Sequence, residues 1–158
     1  MEITTDNVTH PDVLALLEEH LADMYAFSPP ESVHALDYDE LRGPDVTFWT
    51  AWEGEELLGC GALKELDATH GEIKSMRTSR NRLRKGVAAA ILEHIVIVAR
   101  ERGYERLSLE TGSGGPFDAA LRFYEKHGFD YCKPFADYVP DPFSRFMTRL
   151  LIPQENQG

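Results

Sequence analysis

Runs of alternating apolar and polar residues occur near the start of the chain, through its middle and towards its end. Stretches with apolar residues every three to four positions separate them, the spacing of helices rather than strands. Glu2 to Thr5 opens as a short strand. Pro11 starts a helix whose Val13, Leu16, Leu17, Leu21 and Met24 make one apolar stripe. Pro29 and Pro30 stop that pattern, and a short helix is expected from Tyr38 to Arg42. Val46 to Trp52 and Leu57 to Leu66 read as a hairpin turning at Glu53-Gly54-Glu55-Glu56. A second turn, Asp67 to Gly71, leads to a strand from Glu72 to Thr78. Alternation there places Glu72, Lys74, Met76 and Thr78 on one face, and Ile73, Ser75 and Arg77 on the other.

From Gly86 the pattern turns helical, and nearly every position from Val87 to Ala99 is apolar, which predicts a deeply buried helix. Gly103 ends it, and Arg106 to Glu110 is a strand parallel to its predecessor through the helical crossover. Thr111-Gly-Ser-Gly-Gly-Pro116 is a connector; it lacks the Gly-Lys-Ser/Thr ending of a phosphate loop. The next helix, Phe117 to His127, puts Phe117, Ala120, Leu121 and Tyr124 on one face and ends at Gly128. Phe129 to Lys133 and Phe143 to Leu151 form a last strand pair around Pro134 to Pro142. One domain over residues 1–153 with a polar tail at 154–158 is expected.

Composition narrows the function classes. A chain of 158 residues can bury about two thirds of its unfolded surface. No apolar run has the length of a membrane span, and the start lacks a signal peptide's regions, so a cytoplasmic protein without a membrane partner is expected. Cys60 and Cys132 lie far apart, and the six histidines show no zinc spacing, so no metal is expected. A net charge of −11 argues against nucleic-acid binding. Residues 1–60 hold fourteen Asp and Glu against the single Arg42. If that acidic half lines a cleft, the cleft favours a cationic amine; otherwise it is a solvated surface.

Basic residues gather instead in the turn before Gly86, at Arg80, Arg82, Arg84 and Lys85. Strand, basic turn, glycine and apolar helix together make an anion site. The first N–H groups of a helix lack internal partners and sit at the positive end of its dipole. Gly86 lets a ligand approach the backbone, and Ala88 and Ala89 keep the mouth open, which suits a diphosphate.

Arg84-Lys-Gly-Val-Ala-Ala-Ala-Ile-Leu, between a strand and an apolar helix, resembles the acetyl-CoA signature of the GNAT N-acetyltransferases. The usual form is Gln/Arg-x-x-Gly-x-Gly/Ala. Gly86 and Ala88 fit it, whereas Leu83 occupies the Gln/Arg position between Arg82 and Arg84. The element order also resembles that family over nearly the whole chain. The resemblance implies an α/β (α+β) fold with a mixed, mostly antiparallel sheet of about seven strands, splayed around the cofactor. It further implies acetyl-CoA as cosubstrate, with Arg82, Arg84, Lys85, Gly86, Val87, Ala88 and Ala89 at its pyrophosphate and Met76, Arg77 and Thr78 along its pantetheine arm.

Acetyl transfer from a thioester to an amine needs a base for the amine, a donor for the oxyanion and a proton for the thiolate. Glu72 is the first candidate base, and Glu110, at the end of the neighbouring strand, is its rival. Tyr124, within Leu121-Arg-Phe-Tyr-Glu-Lys-His-Gly-Phe129, matches the family tyrosine that faces the CoA sulfur. A backbone N–H near Met76 is the expected oxyanion donor. Ser28, Glu31, His34, Asp137, Tyr138 and Asp141 are candidates for acceptor contact, though caps and turns use the same residue types. The function implied is acetyl transfer to a small-molecule amine. The alternatives are a protein N-terminus or lysine as acceptor, or a CoA-binding regulatory module without turnover; a homodimer is compatible with all three.

Overall fold

Each alternating run pairs with a neighbour. In the computed structural model, which describes residues 1–34, 37–79 and 86–151, the strands are β1 (Glu2–Thr5), β2 (Val46–Glu53), β3 (Glu56–Asp67), β4 (His70–Thr78), β5 (Arg106–Thr111), β6 (Asp130–Tyr131) and β7 (Arg145–Leu150). The helices are α1 (Pro11–Phe27), α2 (Tyr38–Leu41), α3 (Val87–Glu101) and α4 (Asp118–Lys126). Seven strands form one sheet in the order β1-β2-β3-β4-β5-β7-β6. Only β4 and β5 run parallel; the other neighbours are antiparallel. Helical crossover through α3 accounts for that one parallel pair.

Both faces are covered by apolar side chains. One carries α3, with Leu63, Ile73, Ile91, Leu92, Ile95, Leu107, Leu109, Tyr124 and Met147 in its core. Ile91, Leu92 and Ile95 are each fully buried, and each such side chain contributes about 1.5–3 kcal/mol. A Cβ on Gly61 would come within 2.7 Å of Met76 Sδ and 2.8 Å of Ile91. This close approach lets α3 lie on the sheet. The other face packs Val13, Leu16 and Leu17 of α1 and Leu41 of α2 against Phe48, Cys60 and Ala62.

Several expectations change. Helix α3 is not buried all round, since Glu93, Ile97 and Arg100 form an exposed stripe; a helix on a sheet has only one face to bury. Leu21 of α1 is 42% exposed, so the α1 stripe is narrower than its apolar residues suggest. Phe117 belongs to a 3₁₀ turn, Gly115–Phe117, ahead of α4. Strand β4 begins at His70 and the turn before it is correspondingly shorter, while β6 keeps only two residues.

The largest correction concerns β4. Cys60 pairs with Arg77 and Ala62 with Lys74, so Gly61 stands opposite both Ser75 and Met76. This is a β-bulge, with Ser75 in the left-handed region at φ 57. The extra residue inverts the alternation beyond it. Met76 packs with the α3-side core, away from Glu72 and Lys74, and Arg77 takes their face. Thr78, paired with Gly59, falls on the α3 side with Met76. Binary alternation cannot register an inserted residue.

Candidate active site

The site lies where β4 and β5 part. Their pairing ends at Glu72 and Ser108, yet β4 continues to Thr78 beside β3 and β5 to Thr111 beside β7. Residues 73–78 and 109–111 therefore border a gap, with Glu72 at its apex. Since paired residues of parallel strands share a face, Glu72 and Ser108 point the same way, as do His70 and Lys74 two positions either side of Glu72. The sheet here is polar where its reverse is a hydrocarbon core.

A loop covers this polar face. From it Tyr138 donates its hydroxyl to Glu72 Oε2 at 2.6 Å. Lys74 Nζ donates to the same Oε2 at 3.1 Å and to the Tyr138 oxygen at 2.9 Å. Glu72 and Lys74 keep 4% and 9% side-chain exposure, so the triangle is a dry, mutually compensated group. Burial, then the Glu72 carboxylate, push the Tyr138 phenol far above its ordinary pKa, keeping it protonated. The loop is also tied at Asp141, whose Oδ2 accepts from Ser32 Oγ at 2.6 Å. That bond, first of all, holds the Asp141 carboxyl below its usual range. His34 meets the Tyr138 ring edge-on, with centroids 5.0 Å apart.

Glu110 is the acid without such commitments. It is half-buried on β5, and burial raises its pKa to about 7 against the pull of Ser144 and Lys74. Ser144 is buried, and although its Oγ lies near enough to influence Glu110, it has no hydrogen-bond partner of normal geometry among the described residues. Below the apex, His70 Nε2 lies 2.7 Å from Ser108 Oγ, which lies 3.0 Å from Thr148 Oγ1; Thr148 in turn donates to Leu107 O. With the threonine proton spent there, Ser108 donates to Thr148 and accepts from His70. His70 thus carries its proton on Nε2.

Gly86 is the residue before α3, at φ 77 and exposed, with open space where a Cβ would project. Its left-handed backbone is what glycine supplies. Val87, Ala88 and Ala89 make the first turn, whose N–H groups have no helical partners. Val87 is buried in the α3-side core, while Ala88 and Ala89 are half-buried. Tyr124 on α4 is buried, and its hydroxyl makes no hydrogen bond among the described residues. Burial alone raises its pKa far above normal, so it remains a proton donor. A gap between strands, a bulge at Ser75, an open helix start and an uncommitted phenol fit a long ligand with an anionic end.

Other expected residues fall elsewhere. Arg77 turns its guanidinium to α1, 2.7 Å from both Glu19 Oε1 and Asp23 Oδ2. Its side chain ties α1 to β4 and leaves only its backbone for an arm in the gap. Glu31 and Asp137 are exposed and make no side-chain bond among the described residues, and Ser28 is the residue that ends α1. Arg82, Arg84 and Lys85, with Arg80 and Leu83, lie outside the described residues. Glu72, Glu110 and Asp141 supply the carboxylates beside the fork, with Ser32 and His34 reaching in from the acidic half, whose Asp12, Glu19 and Glu56 line a separate pocket. Sequence reasoning missed Ser144, for which no local signal exists, and placed Lys74 only on the strand face of Glu72. Among the described residues, no group of three or more His, Cys, Asp or Glu could hold a metal, and no helix is long and apolar enough to cross a membrane.

The sheet parts at its one parallel pair, with Glu110 beside the fork. The chain belongs to the acetyltransferase (GNAT) family, whose profile matches residues 13–129. It is 61% identical over 151 residues to a Bacillus subtilis (strain 168) protein named uncharacterized N-acetyltransferase YsnE, covering 96% of this chain and all of that one. It is 37% identical over 143 residues to the IAA acetyltransferase of Azospirillum brasilense, covering 88% of this chain and 90% of that one. Its fold is also that of a Bacillus subtilis acetyltransferase solved in complex with CoA, with a TM-score of 0.70 at 17% identity over 96% of this chain and 99% of that one.

Proposed function

We propose that this protein transfers the acetyl group of acetyl-CoA to the primary amine of a small-molecule acceptor, by direct attack while both are bound. The observation that carries this reading is Glu110, an acid of pKa about 7 on the gap-lining part of β5. A base poised near neutral pH can accept an ammonium proton and return it to water. Glu72, the first candidate from sequence, is bonded to both Lys74 and Tyr138. We assign it to positioning and Glu110 to proton removal.

When bound, acetyl-CoA supplies the electrophilic thioester carbonyl. Val87, Ala88 and Ala89 offer backbone N–H groups to its diphosphate at the start of α3, and the basic turn with Arg82, Arg84 and Lys85 adds charge. The backbone of Met76, Arg77 and Thr78 borders its arm. At the bulge, the N–H near Met76 is released from the β3 ladder and can hold the carbonyl oxygen. Glu110 takes the proton of the acceptor ammonium, the nitrogen–carbon bond forms and the carbon–sulfur bond breaks. Tyr124 protonates the departing sulfur, and the second proton shed by the acylated nitrogen restores its hydroxyl. Tyr138 and His34 wall the acceptor side. The Azospirillum relative has IAA, not a protein, in its name, which supports a small acceptor here.

The test is incubation of the purified protein with acetyl-CoA and a panel of primary amines, peptides included, following free thiol and acetylated product. Acetylation of small amines that is lost in Glu110→Gln but retains a residue in Glu72→Gln supports the assignment. Acetylation of peptides alone, or tight acetyl-CoA binding with no product, overturns it.

A further inference from the structure

Resting on the transferase reading above, we propose that the acceptor is an amino acid, or a related amine bearing a carboxylate, with Lys74 Nζ and Ser144 Oγ holding that carboxylate beside Glu110. Two buried polar groups at this place have unspent capacity. Lys74 carries three N–H donors and makes two hydrogen bonds among the described residues, to Glu72 Oε2 at 3.1 Å and Tyr138 at 2.9 Å. Its side chain is only 9% exposed. Ser144 is 5% exposed; its hydroxyl lies near enough to Glu110 to hold that acid's pKa down, yet makes no hydrogen bond of ordinary distance and angle to a described residue. Buried donors left unmade are costly, so a ligand that supplies acceptor atoms to both is favoured.

Charge decides which ligand. Glu72 and Lys74 cancel within their triangle, and Tyr138 adds no charge. A plain ammonium pairs with Glu110 but leaves the remaining Lys74 N–H and the Ser144 hydroxyl unmatched. A lone carboxylate pairs with those donors but faces Glu110. A molecule with both groups close together satisfies all three at once. The surrounding walls are aromatic: Tyr138 lies 5.2 Å from Phe135 and 5.5 Å from Phe146 between centroids, and Phe146 is directly opposite Glu110 in the strand register. Such walls suit an apolar side chain on the acceptor.

The experiment compares matched acceptors that differ only by the carboxylate, with the full chain and saturating acetyl-CoA: L-phenylalanine against phenethylamine, and L-leucine against isoamylamine. The expected result is a kcat/KM higher for the amino acid of each pair by about tenfold or more, since a site with unpaired donors rejects the analogue that cannot fill them. Ser144→Ala, and the charge-conserving pair Glu72→Gln with Lys74→Met, should bring that ratio towards one by raising KM for the amino acid. Folding of each is checked by circular dichroism. Turnover of the amines with no preference for the carboxylate overturns this inference and leaves the transferase reading standing. An unchanged ratio in Ser144→Ala and in the folded double variant overturns it as well. Failure of every amine to be acetylated, in protein that still binds acetyl-CoA, overturns both.

Discussion

Replacing Glu110 by glutamine tests the site through stability and chemistry together. Burial lifts this carboxyl from 4.5 to about 7 in the folded protein. Between those values the folded chain holds a proton that the unfolded chain has lost, so stability falls as pH rises through that window. A shift of this size corresponds to about 3 kcal/mol, and solvent reaching the half-buried side chain screens it to about 2 kcal/mol. Glu110→Gln removes the charge and should be the more stable protein above pH 7. For a chain of this size the gain in Tm is about 4–8 °C at pH 8, shrinking to near zero below pH 5. Thermal unfolding by circular dichroism at both pH values, without ligand, reads this directly. Over the same range, wild-type kcat/KM should rise with an apparent pKa near 7, and the variant should lose about 10²-fold or more of its rate. An equal Tm difference at pH 5 and pH 8, or turnover within about twofold of wild type, would refute the reasoning.

Three further outcomes are expected. Tyr138→Phe strips the donor from Glu72 at 2.6 Å and an acceptor from Lys74; chemical denaturation should show a loss of about 1–3 kcal/mol, and an unchanged midpoint would mean the triangle is not a stabilising unit. Tyr124→Phe keeps the packing and loses only a hydroxyl with no partner among the described residues, so Tm should hold while kcat falls about tenfold or more; an unchanged kcat removes Tyr124 from the chemistry. Gly86→Ala should cost about 1–2 kcal/mol because φ is 77, whereas Gly86→Glu should also abolish acetyl-CoA binding by calorimetry. Undiminished binding in the glutamate variant would place the diphosphate elsewhere.

Much of this architecture is legible from pattern. Pro11, Gly103 and Gly128 mark helix limits, and the strands from Glu2, Val46, Glu56 and Arg106 follow local alternation, because capping, turn and burial preferences act over a few residues. The order of elements and the crossover through α3 follow from those limits, as does the family resemblance carried by Gly86 and Ala88. Glu110 and Tyr138 were also visible as candidates, since a strand end and a proline-rich loop are places where sites form.

What pattern cannot express is where residues distant in sequence meet. The bulge at Ser75 depends on how Gly61 fits beneath Ile91, and it alone decides that Met76 leaves the face of Glu72 while Arg77 joins it. Ser32 and Asp141 are bonded across 109 residues of chain, and nothing local announces that pairing. The same holds for charge. An acidic first half is plain in the sequence, but only the fold shows Arg77 engaging Glu19 and Asp23 and gathers Glu72, Glu110 and Asp141 beside the fork. Glu72 and Glu110 are the same residue type on neighbouring strands, and only their surroundings set their bonding apart: Glu72 is tied to Lys74 and Tyr138. Local sequence determined the elements and the place of the glycine that opens α3, because those interactions span a few residues. The tertiary structure decided which acid is committed and which is left to react, because desolvation and hydrogen bonding are set by neighbours that only folding brings together.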